Sequence, residues 1–593
     1  MKNGIRKTEV NPRIYERAAL FIFLFAGPLI RFTPAYDYTL IKNIAGYLFC
    51  ILLSALFIIK KKGFAFEIKN LAVFMVFAAW ILLSSFTAPF GYGAARSLED
   101  YILYFLVFIC ASNMDFNKKD VYIWVAAGII ASFTAIFNFI GPRKYVVSTF
   151  GNPNFFAGHI MMLIALASAM LFSKDIKKNE RLFLAVFIIS AFFGILATKS
   201  RAAISGTLFG TATLLFLVNI KGTFIKKWSP YMAILAAGAL SYGYAYRWIT
   251  TNIRWYIWNA ALEMVKVKPL AGWGLGNFTF FYPYYRIREY FLQPEATPVT
   301  IHTHNEYLQI LSETGIIGLI LFLAFIVIII ENAVRNSAVH PQLNPLPAGT
   351  NPSRERDMQT GSLLIKGCIS GIAAVLADNI FSTNLRNPST AMYFWFLLGL
   401  AAGHVKKHEI DFKLSRLLWY TAGAVGFIMC VFTSFYRISP EIYLKRGIWA
   451  KEAGDLRTAV DNYLVVCSMN PNNHEAWYKL AFAYGESGKL EEAKEIYLKI
   501  NKYIFPHFAK TDANTGTIYL REGNFEKAFY YYKWAEWLNP YDKDVLCTIA
   551  SIQLMFYNNV PEAVSYLNRV LTIDPENGYA NRIINLLKAE GKI

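Results

Sequence analysis

The chain has 593 residues, of which 55% are hydrophobic and 16% aromatic while only 17% are charged, and its formal net charge is +19. This composition excludes a soluble enzyme with an ordinary core and indicates a polytopic membrane protein. In such a chain the excess of Lys and Arg reflects cytoplasmic loops rather than a nucleic-acid partner.

Residues 1–17 are basic, and the apolar run after them lacks a small-residue cleavage site, so it reads as a retained first span. Runs apolar enough to cross a bilayer fall near 18–31, 38–59, 71–88, 101–112, 121–140, 153–173, 182–198, 203–220, 231–247, 314–332, 362–380, 390–404 and 416–436. That is about thirteen spans by length, the fourth being the shortest. Every second connection is basic, with Lys60–Lys62, Lys118 and Lys119, Lys174–Arg181, Lys221–Lys227 and Lys406–Arg416. These connections and the N-terminus are therefore expected in the cytoplasm, which puts 248–313 and everything beyond the last span outside it. Segment 333–361, rich in Pro, Asn and Gly, is predicted to be a mobile cytoplasmic loop. Cys50, Cys110, Cys368 and Cys430 lie in apolar runs and Cys467 and Cys547 far apart in the tail, so they form neither a disulfide framework nor a metal set.

The membrane core is thus 18–438, and the tail, 439–593, is of another kind. Ala459, Ala493, Ala528 and Ala563 recur at about the 34-residue tetratricopeptide period, each followed four residues later by Tyr463, Tyr497, Tyr532 or Leu567. Pro471, Pro540 and Pro575 end three units, and Pro506 falls one position late in another. About four repeats of helix pairs make a soluble solenoid able to dock a protein partner. The expected fold is all-α, a transmembrane bundle of about 12–13 spans followed by this solenoid.

Basic residues outside the cytoplasm go against the usual bias. They are Arg143 and Lys144 in "GPRKYVVSTFGNPNFFAGH", Lys199 and Arg201 in "ATKSRAAIS", Arg247 and Arg254 in "YRWITTNIRWYIWNAALEMVK", and Arg286 and Arg288 in "YYRIREY". Singly, each can snorkel to outer-leaflet phosphates. As a set on one side they suit a polyanionic headgroup, because the arginine fork pairs with phosphate oxygens.

In "TPVTIHTHNEYLQILSETGIIGL", residues 297–319, Thr303 and Glu306 form a capping-box pattern, so a helix is predicted to start at Thr303 with His304 in its first turn. The positive helix end keeps such a histidine neutral and able to accept a proton. A neutral base beside arginines has the components of a transfer reaction with an anionic leaving group. Two other readings stand beside it: His302, His304 and Glu306 as metal ligands, though no HExxH pattern or cysteine pair completes the set, or histidines simply at the interface. Upstream, "KPLAGWGLGNFTFFYPYYRIREYF" carries glycines with no strand before them and no βαβ unit around them. They read as a tight loop that lets backbone approach a ligand, not as a dinucleotide fingerprint. The aromatics after them suit either sugar stacking or an interfacial belt.

The pieces "STFGNPNFFAGH", "TKSRAA", "NIRWYIWNAALEMVKVKPLAGWGLGNF" and "HTHNEYLQILSETGIIGL" together resemble the O-antigen ligase and polymerase superfamily of bacterial membrane glycosyltransferases, over roughly residues 120–400. The resemblance implies metal-independent, cofactor-free, inverting transfer of a glycan from polyprenyl (undecaprenyl) diphosphate to an acceptor hydroxyl. The acceptor is a lipid, a glycan or a protein at the outer face of the plasma membrane, in surface polysaccharide and lipopolysaccharide biosynthesis. It carries the family's "SR" arginine onto Arg201, its second arginine onto Arg254 and its histidine before Asn onto His304. Candidate substrate-binding positions are Arg143, Asn152, Asn154, Lys199, Trp258, Gly274, Gly276, Asn305 and Glu306. His302 has no counterpart. One span more than the family's usual arrangement throws the repeats outside and leaves ligase, polymerase and protein glycosyltransferase open. A transporter or flippase would need charges lining a path through the membrane, whereas here most gather at the outer face. A scaffold would need only one anchor.

Overall fold

The computed structural model describes residues 12–141, 146, 148–219, 252–339, 352–405 and 407–593. In chain order its helices are α1 (Pro12–Leu20), α2 (Gly27–Leu29), α3 (Ile41–Ile59), α4 (Ile68–Phe86), α5 (Gly91–Ser112), α6 (Lys118–Ile140), α7 (Pro153–Leu171), α8 (Lys178–Thr198) and α9 (Arg201–Val218). There follow α10 (Ile253–Val267), α11 (Phe278–Tyr285), α12 (Glu306–Val339), α13 (Pro352–Asp378), α14 (Pro388–Gly403) and α15 (Phe412–Phe432). The last nine are α16 (Ser439–Glu452), α17 (Leu456–Met469), α18 (His474–Glu486), α19 (Leu490–Lys499), α20 (Thr511–Arg521), α21 (Phe525–Leu538), α22 (Lys543–Met555), α23 (Val560–Ile573) and α24 (Gly578–Ala589). Against this all-α background, β1 (Ala65–Phe66) pairs antiparallel with β2 (His408–Glu409).

The chain divides into two compact units. The membrane unit contains Met1–Tyr246, Pro269–Gly276 and His304–Ser439; the repeat unit contains Arg247–Lys268, Asn277–Thr303 and Pro440–Ile593.

Among the described residues of the whole chain, nine helical stretches are long and apolar enough to cross a membrane. They are α3, α4, α6, α7, α8, α9, Glu306–Asn336, Gln359–Asp378 and the continuous run Phe412–Glu452. The expected span 18–31 is broken into α1, a π-helical turn (Phe21–Ala26) and α2. Span 101–112 is the second half of α5, whose first half carries Glu99 and Asp100. Span 390–404 is the 16-residue α14, nearly all of it buried in protein, so its length need not match the lipid. Span 231–247 lies outside the described residues.

The aromatic core gathers on α14. Trp395 stacks on Phe325 at 5.5 Å, and Tyr393 on Phe23 at 4.8 Å. Small residues let backbones close in around it, as where Gly399 meets the Phe108 carbonyl and Gly210 meets Ala374. The loop predicted over 333–361 is shorter than expected, since α12 runs to Val339 and α13 starts at Pro352. Side chains carry α12 past its apolar stretch: Asn332 donates to Asn70 Oδ1 at 2.7 Å, and Arg335 pairs with Glu331 one turn away. The remaining connection, 340–351, lies outside the described residues.

The repeat unit is a solenoid of helix pairs. Each periodic alanine, Ala459, Ala493, Ala528 and Ala563, is fully buried on the second helix of a pair. Small first-helix residues receive the bulky residue four on. A Cβ on Gly447 would strike the Tyr463 ring, and one on Gly516 the Tyr532 ring. The late Pro506 also has a physical cause, because a π-helical turn, Ile500–Ile504, ends α19 and takes up the extra residue. Against this irregular corner packs α11, with Phe280 and Phe505 ring centroids 4.5 Å apart. Tyr284 lies beside His507 and Trp537 at 5.6 and 6.0 Å.

Candidate active site

Helix α12 is broken at Gly315, which has φ 69° and ψ −176°. Breaking a helix frees backbone groups that must find partners away from water. The segment 269–276 supplies them: Trp273 N–H donates to Ser312 O at 2.9 Å, Gly274 N–H to Glu313 O at 2.8 Å, and Ile316 N–H to Pro269 O at 2.9 Å. Leu275 N–H reaches Ser84 O at the end of α4. The tight loop read from the glycines is therefore present, but its close neighbours are chain: Gly274 lies against Ala88 and Gly276 against the Gly93 carbonyl.

The start of α12 corrects the capping-box expectation. The helix begins at Glu306, and His304 precedes it in left-handed backbone, φ 56°. Asn305 is the cap, its Oδ1 accepting from Leu308 N–H at 3.0 Å. Thr303 is fully buried, and its carbonyl accepts from Trp258 Nε1 at 2.9 Å. Glu306 faces inward and pairs with Arg386 at 2.8 Å, and Arg386 also pairs with Glu313 at 2.8 Å. Glu313 in turn accepts from Gln309. Burial works against the Arg386 charge, but the two carboxylates outweigh it and raise its pKa. Among the described residues no group of three His, Cys, Asp or Glu side chains is placed to hold a metal ion, the His302–His304–Glu306 set included. Sequence alone does not single out Arg386, although it too is a basic residue in a connection that the alternation of basic loops predicts to lie outside the cytoplasm.

The far end of α13 organises this region. Asn379 O accepts from Glu306 N–H at 2.9 Å, and Leu376 O accepts from Tyr307 Oη at 2.7 Å. Asp378 accepts from Asn384 Nδ2 at 2.7 Å. Helix α9 lies on the same end, since a Cβ on Gly206 would stand 3.0 Å from Asp378 Cβ. Arg201, exposed, opens α9 behind its cap Ser200. Asn152 caps α7 and accepts from the backbone of Asn154, and α7 joins α14 through Thr390 Oγ1 to Phe155 O at 3.0 Å. The starts of α7, α9, α12 and α14 thus collect around residues 374–390 of the membrane unit, and helix N-termini favour anions.

Within this unit the structure brings Arg201, Asn152, Asn154, Asn305 and exposed His304 to one end of the bundle. Lys199, in left-handed backbone, stands 5.9 Å over the Phe139 ring. Arg254 and Trp258 lie on α10 in the repeat unit, where Asn252 caps the backbone of Arg254 at 3.0 Å. Arg143, Lys144 and Arg247 are outside the described residues. Arg286 does not join a headgroup site: it donates to Pro298 O and Leu538 O at 3.1 and 2.9 Å.

Residues 184–323 match the O-antigen ligase family, and residues 462–495 match a tetratricopeptide repeat. Over 268 residues the chain is 24% identical to a Rickettsia felis protein named "Putative polysaccharide ligase". That match covers 42% of this chain and 66% of the relative, just under two thirds of its length. A solved structure described as "Crystal structure of MamA protein" matches at 21% identity and a TM-score of 0.24, covering 26% of this chain and 82% of that one. The chain is a multi-pass membrane protein that carries an O-antigen ligase domain and tetratricopeptide repeats.

Proposed function

We propose that this protein is a glycosyltransferase of the plasma membrane that moves a glycan from a polyprenyl diphosphate carrier to an acceptor hydroxyl at the outer face. The observation that carries this reading is the meeting of two helix starts on one end of α13. One bears Arg201 and the other follows His304, and they rest on Asp378 and Asn379 respectively. The family match over 184–323 spans both.

In the proposed reaction His304 takes the proton of the acceptor hydroxyl as its oxygen attacks the anomeric carbon. The bond from that carbon to the diphosphate oxygen breaks, with inversion, and the carrier leaves as its diphosphate. Arg201 and Arg254 meet the charge that grows on it, each contributing about 2–4 kcal/mol in the transition state. The diphosphate supplies the driving force, so no nucleotide is needed, and in this scheme the arginines meet the leaving-group charge in place of a metal. Asn305 holds the backbone beside His304, and the Arg386 ion pairs fix the turns behind it.

The repeats share a side with the loop, because residues in contact cannot be separated by a bilayer and Phe280 touches Phe505. With the loop outside and the N-terminus inside, as the alternation of basic connections indicates, the repeats are extracytoplasmic too. The test is reconstitution with a defined polyprenyl diphosphate glycan in the presence of chelator, following donor and candidate acceptors by mass. A glycosylated lipid marks a ligase, a lengthened glycan a polymerase and a modified peptide a protein glycosyltransferase. A donor left intact with every acceptor overturns the proposal.

A further inference from the structure

We infer that the repeats act on the chain's own extracytoplasmic loop, and that Arg286 is a positioning residue that clamps the stretch leading into His304 to the end of α21. This rests on the role proposed for His304.

The last carbonyls of a helix have no partner within it. At the end of α21 the Leu538 carbonyl accepts from Arg286 Nη2 at 2.9 Å, and a cation there also suits the negative helix end. The other arm of the guanidinium, Nη1, reaches Pro298 O at 3.1 Å, and the group lies 4.3 Å from the Phe291 ring centre. One side chain therefore ties the repeats to the returning half of the loop.

That half needs holding. Residues 297–303 adopt neither helix nor strand, so side-chain contacts set their course. Tyr290, buried, accepts from Thr297 N–H at 3.2 Å and bonds Thr300 Oγ1 at 3.0 Å. Trp258 holds the Thr303 carbonyl. His304 follows directly in left-handed backbone, a conformation that a residue with a side chain keeps only when its flanks are fixed.

The solenoid departs from its period at the place where it receives this loop. The π turn at 500–504 and the left-handed residues His507 and Ala509 form the corner that meets α11. Phe505 from that corner packs on Phe280. His507 is braced by Asp512 at 2.8 Å and by Trp534, stacked at 4.5 Å, and lies beside Tyr284. An irregularity in a repeat whose neighbours keep the period is explained if that repeat has a dedicated partner, and here the partner is 277–303.

The experiment uses the purified full chain and Arg286→Ala, Arg286→Lys and Phe280→Ala. It reads hydrogen exchange of 297–303, donor binding and single-turnover transfer. Arg286→Ala should raise exchange in 297–303 about tenfold and slow transfer about 10- to 100-fold, with donor binding unchanged. Lysine, a point charge without the fork, should recover part of both losses. Phe280→Ala should act in the same direction and carries the test if Arg286→Ala does not fold. Unchanged exchange in both the alanine variants overturns the clamp, and raised exchange with full transfer overturns the positioning role. If the unmodified protein transfers nothing, the proposed function fails on its own, while the exchange data still judge the clamp.

Discussion

Arg386 Nε lies 2.8 Å from Glu306 Oε1, a contact that joins residues 80 apart in sequence, and the same guanidinium holds Glu313. Glu306 and Glu313 are two turns apart on one face of α12, so one arginine fixes the whole stretch between the cap and the break at Gly315. All three side chains are at most 10% exposed. Removing one partner of a buried pair leaves an uncompensated charge, at about 3–5 kcal/mol. Arg386→Ala should therefore lower the thermal midpoint in detergent sharply. Combining Arg386→Met with Glu306→Gln and Glu313→Gln should restore much of the loss, since no charge is then left alone. A single variant that melts like the unmodified protein would show that the triad does not hold α12.

The break itself depends on glycine. Gly315 combines positive φ with an extended ψ, a region essentially closed to other residues, and a Cβ there would run into the Leu270 carbonyl. Gly315→Ala should cost about 2–5 kcal/mol, strain and overlap together. Gly523 in the repeats also has positive φ, 76°, but its Cβ would meet nothing within 4 Å. Gly523→Ala should cost only about 1 kcal/mol. Folded yield and melting of the two variants separate overlap from conformational strain.

Much of this architecture is legible in the sequence because it is periodic or strongly apolar. The repeats announce themselves because a small residue must face a large one at every turn of the solenoid, as Gly447 faces Tyr463. The start of α12 is not legible in that way. A capping box needs a free threonine side chain at the cap, but Thr303 is buried beside its Trp258 contact and the cap passes to Asn305. The partners of Arg386 are hidden for another reason: they lie 80 and 73 residues away, beyond any local pattern. Arg286 looked like one more outer-face cation, and only the folded repeats supply the Leu538 carbonyl that it caps.

The repeat unit has its own electrostatic lock. Glu536 on α21 takes Lys533 and Arg569 at 2.5 Å each and accepts from Tyr566 at 3.2 Å, which ties α21 to α23. Burial pushes its pKa up, and the hydrogen bonds from Lys533 and Arg569 more than reverse this, leaving it lowered. A lowered carboxyl stabilises the fold above its unfolded pKa, and that stability fades as pH falls through the folded value. Glu536→Gln should cost about 1 kcal/mol near neutrality. The difference from the unmodified protein should close below about pH 4. Melting curves of both proteins across that range check the sign.

Topology gives a simpler test. The run Phe412–Glu452 leaves the membrane into the repeats, and those repeats touch the loop that feeds His304. An alkaline phosphatase fused after Ile593 should be active outside the cytoplasm, and a fluorescent protein fused there should stay dark if exported unfolded. The opposite pattern would put the loop and the repeats on the cytoplasmic side together, since their contact does not allow them to part.

The proposed chemistry divides labour between arginines and histidine, and the two should fail differently. A diphosphate contact exists in the ground state and the transition state alike, so Arg201→Ala and Arg254→Ala should weaken donor binding and slow transfer together. Lysine should rescue each only in part, because it keeps the charge and loses the bidentate fork. His304 touches the acceptor in this scheme, so His304→Ala should leave donor binding nearly intact and cut turnover by about 10²–10⁴, the range for a positioned acid or base. His302, half-buried and one residue from Thr303, should matter far less. Donor binding and single-turnover transfer measured on all four alanine variants decide the matter. Normal transfer by His304→Ala, or a severe loss confined to His302→Ala, would reassign the base.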